Sequence, residues 1–268
     1  YKLDLTPDLY SYFGISNTSS VTEICVVLRS ADGGTQTADT FLQVGAFQTT
    51  LTAPIQNSST IIASGQNFAI TATNTNGTAA YNLLANGVSI NTATTSSYSF
   101  TDSNVTTNKN YELQITQSGT TIVKKFSVIV NPGTVSQTMP VGLVDGINYN
   151  AGDATKATLV LDAPLKDFVY VAGSFNDWQP TSAYAMKKDA ATGKFWLELT
   201  GLVSGTNYTY QYWVVDATPI SGTPSLVKTA DPYSTLVLSP YDDPYIPALS
   251  YPNLPTYPSG QEIGRAHV

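Results

Sequence analysis

Val171-Ala-Gly-Ser-Phe-Asn-Asp-Trp-Gln-Pro180 runs from an apolar strand into a polar turn and places a tryptophan at the turn itself. Turn tips ordinarily carry Gly, Asn, Asp or Ser, whose short side chains satisfy the local backbone. Trp178 therefore has two readings: its indole folds back as a plug, or it faces outward to hold something. Outward from this stretch, period-2 alternation punctuated by Gly, Asn and Ser continues almost from end to end. A single helical turn is expected, at Thr6-Pro-Asp-Leu-Tyr10. The fold class is all-β.

The length of 268 residues suits two or three modules rather than one small sandwich. Only 12% of residues are charged and 42% are hydrophobic, with no long apolar run. That composition fits a β-rich extracellular or cell-surface protein of bacterial type, and no membrane-spanning segment is expected. A net charge of -7, with only 12 Lys and Arg, argues against nucleic acid, because phosphate backbones are held by clustered cations.

The one cysteine, Cys25, sits in Ile24-Cys25-Val26-Val27-Leu28 and is expected to pack as a small buried hydrophobe. The one histidine, His267, lies in Glu262-Ile-Gly-Arg-Ala-His-Val268, which resembles a translated sequencing adaptor and is read as a scar. One Cys and one His at opposite ends cannot supply the several ligands of a usual zinc site, so neither metal nor cofactor is expected.

The chain divides by pattern. Residues 1–46 read as the C-terminal part of a truncated accessory β module, with strands near 22–29 and 40–44 around the turn Ala31-Asp-Gly-Gly34. Residues 47–132 read as an immunoglobulin-like spacer of about seven short strands. Within it Phe68, Ile70 and Ala72 share one face, as do Tyr111, Leu113 and Ile115. After the turn Gln117-Ser-Gly119 the alternation resumes with Phe126, Val128 and Val130. Residues 133–250 hold all three tryptophans, Trp178, Trp196 and Trp213. Residues 251–261 begin with Tyr251-Pro-Asn-Leu-Pro-Thr-Tyr-Pro258, whose prolines favour an extended linker, and 262–268 are the expected scar.

Several motifs of the third block lie in a telling order. They are Val144-Asp-Gly-Ile-Asn148, Gly173-Ser-Phe-Asn-Asp-Trp178, the segment 195–215, Ala230-Asp-Pro-Tyr-Ser234 and Ser239-Pro-Tyr-Asp-Asp-Pro-Tyr-Ile246. Together they resemble the early-set β-sandwich, carbohydrate-binding module family 48, that precedes the catalytic barrel of α-amylase-family glycoside hydrolases (glycoside hydrolase family 13). The resemblance covers about residues 141–250. It implies tandem immunoglobulin-like and early-set β-sandwich modules, a catalytic barrel beyond residue 261 as partner, and α-glucans such as starch or glycogen as substrate of the parent enzyme. In that family the tryptophan after Asn-Asp stacks on glucose, helped by a strand lysine and a second tryptophan in the next loop. Trp178 matches the first, with Asn176 as a neighbouring donor; Gln211 stands at the lysine position, and the loop Asp216-Ala-Thr-Pro-Ile-Ser-Gly222 carries no tryptophan.

Alternation places Phe195, Leu197 and Leu199 on one strand face, with Trp196 and Glu198 on the other. In the next strand Tyr208, Tyr210, Tyr212 and Val214 share a face opposite Thr209, Gln211 and Trp213. Paired as a hairpin, these strands bring Trp196 and Trp213 onto one aromatic ledge, which either stacks on sugar or packs against another domain. Asp231-Pro-Tyr233 and Asp242-Asp243-Pro244 pair acid with proline and read as turn makers. No carboxylate pair has the strand-end setting of a (β/α)₈ site, so no catalytic residue is assigned.

Overall fold

The computed structural model of the chain describes residues 23–31, 36–43, 49–74, 77–221, 223–240, 242–258 and 265–267. Over these residues the protein is all-β, with three short 3₁₀ turns. The helical turn expected at Thr6-Pro-Asp-Leu-Tyr10 and most of the turn at Ala31-Asp-Gly-Gly34 lie outside the described residues. Contacts divide the chain into two compact units, residues 1–60, 67–103 and 109–127 forming one, and 61–66, 104–108 and 128–268 the other.

In the first unit Glu23–Val26 pairs antiparallel with Thr40–Gln43 as a two-stranded ribbon. Ile24 and Val26 are half-buried while Cys25 is exposed. The expectation of a buried cysteine is thereby corrected: among the described residues the two-stranded ribbon half-buries one face, and Cys25 is on the other. Glu23 accepts from Lys124, whose side chain is only 2% exposed, and from Gln56 Nε2 at 2.5 Å. A buried ammonium needs such a partner, because an unpaired charge in the interior costs several kcal/mol on the order of its desolvation.

Among the described residues between 49 and 131 there are eight strands. Five form a sheet in the order Ser59–Ala63, Thr120–Asn131, Lys109–Gln117, Ala79–Ala85, Val88–Thr95; Thr49–Ala53, Gln66–Asn74 and Ser97–Val105 form a second. Phe68, Ile70 and Ala72 are buried, and so are Tyr111, Leu113 and Ile115, as their alternation predicts. Across the sandwich the Phe68 ring lies tilted at 5.5 Å from Tyr111, and Tyr81 stacks at 4.9 Å from Tyr98. The hairpin at 118–119 turns through Ser118 (φ 50) and Gly119 (φ 82), the positive-φ pair that a two-residue hairpin of right-handed twist demands.

In the second unit one sheet runs Gly146–Tyr149, Ala157–Leu161, Phe195–Leu199, Lys187–Lys188. In the other, Phe168–Gly173 pairs with Thr209–Val215, which also takes Leu226–Thr229 and Arg265–His267. Their facing sides bury Leu159, Leu161, Val169, Val171, Phe195, Leu197, Leu199, Tyr210 and Tyr212 as one core. Alternate residues of Ala157–Leu161, Phe168–Gly173, Phe195–Leu199 and Thr209–Val215 enter it, which is why the aromatic-rich strands of this block fold as a sandwich.

Among the described residues no helix is long and apolar enough to cross a membrane. No group of three or more His, Cys, Asp or Glu among them is placed to hold a metal ion.

Candidate functional site

The strand Phe168–Gly173 ends in a 3₁₀ turn, Ser174–Asn176. Asn176 makes that turn: its Oδ1 accepts from Gly173 N at 2.9 Å and its Nδ2 donates to Val171 O at 2.9 Å. The side-chain amide is engaged at both ends. A Cβ at position 173 would stand 2.7 Å from Thr209 O and 2.7 Å from Phe175 Cε1, so only glycine fits where the turn crosses the neighbouring strand.

Asp177 (φ 51) and Trp178 (φ 59) then take left-handed conformations, and Trp178 N donates to Gly173 O at 3.0 Å. This reverses the chain and lays the indole on the outer face of the sheet. The left-handed backbone costs roughly 1–2 kcal/mol at Trp178 and less at Asp177, whose short polar side chain tolerates it, while burying a large aromatic returns about 3 kcal/mol and offsets that cost. Trp178 is 8% exposed, in a cluster with Phe168, Tyr170, Ala172, Trp213 and Ile129. Of the two readings of the turn, the plug is the one the fold adopts.

Three of the five predicted site residues share this face. Tyr170 is in register with Trp213 and Ala172 with Gln211, which puts Gln211 and Trp213 beside the residues that Trp178 covers. Gln211 is 0% and Trp213 4% exposed. Neither amide atom of Gln211, nor the indole nitrogen of Trp213, has a hydrogen-bond partner among the described residues. Lys228 Nζ lies 4.8 Å from the Trp213 ring, a cation–π contact. The Tyr170 hydroxyl donates to Val130 O at 2.9 Å, and burial pushes its pKa up to about 12.

Trp196 is elsewhere. The expected hairpin does not form: Phe195–Leu199 pairs with Ala157–Leu161 and Lys187–Lys188, whereas Thr209–Val215 belongs to the opposing sheet. The segment 200–208 crosses between sheets instead of turning back within one, so the single ledge of Trp196 and Trp213 is corrected. Trp196 is 4% exposed, donates its Nε1 to Gln137 O at 3.0 Å and carries Lys187 Nζ at 4.6 Å from its ring. Glu198, its neighbour on that face, stays exposed and lies 3.7 Å from Lys156.

Two residues that shape the Trp178 face escaped the pattern reading. Asn108 donates its Nδ2 to Pro180 O at 2.7 Å and accepts from Val130 N at 2.8 Å, fixing the far end of the turn. Ile129 is buried against the indole although it breaks the alternation of Phe126, Val128 and Val130. That break, an apolar run of both parities at a strand end, was its signal. As built, the face is a closed aromatic layer, and stacking a sugar on it requires uncovering the indole.

No family model matches the chain, and no curated protein matches it. Among solved structures it is similar to the fibronectin(III)-like modules of Clostridium thermocellum CbhA, at 19% identity over 31% of this chain and 95% of that one, with a TM-score of 0.27. It is similar to PulA from Klebsiella oxytoca at 19% identity over 48% of this chain, with a TM-score of 0.29, and spans 12% of that protein's length. It is also similar to SGBP-B of a Bacteroides ovatus mixed-linkage glucan utilization locus, in complex with a mixed-linkage heptasaccharide, at 15% identity over 63% of this chain and 44% of that one, with a TM-score of 0.29. At such TM-scores these likenesses carry no argument, and the all-β assignment rests on the strands themselves.

Proposed function

We propose that the chain is a non-catalytic accessory region of an extracellular α-amylase-family glycoside hydrolase acting on α-glucans. In this reading residues 1–46 end one accessory module, 47–132 are an immunoglobulin-like spacer, and 133–250 are an early-set module. Residues 251–261 then link to a catalytic barrel. The ordered motifs from Val144 to Ile246 support the family, and the Trp178 face of the third module acts as a scaffold layer and not as a sugar platform. The observation that carries the scaffold role is the burial of Trp178, Gln211 and Trp213 on one sheet face, each less than a tenth exposed. A sugar-stacking platform presents an open indole with free donors beside it; here the indole is covered, and Asn176 is committed to the backbone.

Acrylamide quenching of tryptophan fluorescence, with and without glycogen, tests this. Covered indoles give weak quenching that glycogen leaves unchanged. A glycogen-dependent change that disappears in Trp178→Phe would restore the glucan-binding role of that face and remove the scaffold reading.

A further inference from the structure

We infer that a groove away from the Trp178 face, between the segments 149–156 and 202–208, binds a neutral oligosaccharide. The groove encloses about 380 Å³ and is lined by Tyr149, Asn150, Ser204, Thr206, Asn207 and Tyr208, among others. That volume is within the roughly 300–1,000 Å³ usual for small-ligand sites.

Its walls are pinned in advance. Leu202 N donates to Thr155 O at 3.0 Å and ties one segment to the other. Asp153 Oδ1 accepts from both Thr155 N, at 3.0 Å, and Thr155 Oγ1, at 2.6 Å, which holds the 149–156 bend. The Tyr208 hydroxyl accepts from Val203 N at 3.0 Å, and its ring lies 6.3 Å from that of Phe175. A ligand entering here pays little to order the site.

The groove's chemistry selects the ligand. Tyr149 is 70% exposed at the end of an edge strand, an aromatic face open to stacking. Asn150, an exposed residue, uses its Oδ1 on Gly152 N at 2.9 Å, while the exposed Ser204, Thr206 and Asn207 add hydroxyl and amide groups. The charged lining residue, Lys156, is balanced by Asp153 at 3.8 Å and Glu198 at 3.7 Å. An open ring beside neutral donors and acceptors matches the apolar face and hydroxyl edge of a pyranose. The balanced lysine and the net charge of -7 leave nothing for an anionic chain.

The inference rests on these residues alone; the α-glucan identity rests on the family reading above. Isothermal titration calorimetry of the full chain with maltoheptaose, cellohexaose and xylohexaose tests both. At least one is expected to bind with a Kd on the order of 0.1–1 mM. Tyr149→Ala and Asn207→Ala should each weaken it by about tenfold, and Tyr245→Ala, an exposed aromatic outside the groove, should leave it unchanged. Binding of cellohexaose or xylohexaose without maltoheptaose upholds the groove and removes the α-glucan reading. Absence of binding by all three, or binding that survives the Tyr149→Ala/Asn207→Ala double variant with an unchanged melting profile, overturns the groove.

Discussion

The Tyr210 hydroxyl donates to Asp231 Oδ2 at 2.7 Å, with both side chains no more than 1% exposed. Tyr212 donates to the same oxygen at 3.1 Å, and Asp231 Oδ1 accepts from Tyr233 N at 2.8 Å. One carboxylate thus joins the tyrosine strand to the Ala230-Asp-Pro-Tyr-Ser234 turn from inside the core. Asp231→Ala would strand two buried hydroxyls, and an unsatisfied buried group costs about 1–3 kcal/mol. A loss of about 3 kcal/mol is expected, read as a lower urea midpoint at constant m-value, with Asp231→Asn losing less.

The buried tyrosines set an alkaline limit. Burial pushes Tyr98 and Tyr170 up to about 12 from an ordinary value of 10.0. Burial, reinforced by the Asp231 charge, raises Tyr210 and Tyr212 further. Above pH 10 the folded protein therefore holds more protons than the unfolded chain, so its stability is full below that pH and falls as pH rises through about 12. Melting temperature measured against pH should be flat from neutrality to pH 10 and drop beyond it, together with tyrosinate absorbance. A flat profile through pH 12 would show that these hydroxyls are open to solvent.

Gln211 and Trp178 should respond in opposite directions. Gln211 is fully buried with an unpartnered amide among the described residues, so Gln211→Leu removes a desolvation penalty and is expected to stabilise the protein by about 1 kcal/mol. Trp178→Ala empties the centre of the aromatic layer and should cost about 3–5 kcal/mol. Equal melting temperatures for the wild type and Trp178→Ala would mean that the indole is not packed in solution.

Gly173→Ala probes the turn itself. The Phe175 ring can swing away from a new methyl group, but Thr209 O, at 2.7 Å, belongs to the paired strand and cannot. A loss of about 1–3 kcal/mol is expected from overpacking. Chemical denaturation of the full chain reads it, and a neutral result would show that the two strands separate there at little cost.

Much of this architecture was legible residue by residue. The alternation of Phe195, Leu197 and Leu199 against Trp196 and Glu198 named the core face correctly, because side-chain direction in a strand follows from a period of two and needs no knowledge of partners. The same logic placed Gln211 and Trp213 together. It failed at the pairing of their strands, since which strand neighbours which is a long-range property, and the segment 200–208 reads equally well as a hairpin or as a crossing between sheets. Cys25 was misread for a related reason: an apolar run announces a strand, but whether anything covers its outer face depends on distant chain.

The sequence by itself determined the all-β class, the turn-making role of Asp231, and the faces on which the aromatic residues fall; that Asn176 serves the backbone of its turn and not a sugar came from the structure. The first three depend on local periodicity and on the steric and hydrogen-bonding needs of a few adjacent residues. Tertiary structure alone decided that Trp178 is a plug, that Trp196 and Trp213 lie on separate sheets, and that Tyr149 and Asn207, distant in sequence, border one groove. Burial and proximity are properties of surfaces brought together by the whole chain, and no local pattern encodes them.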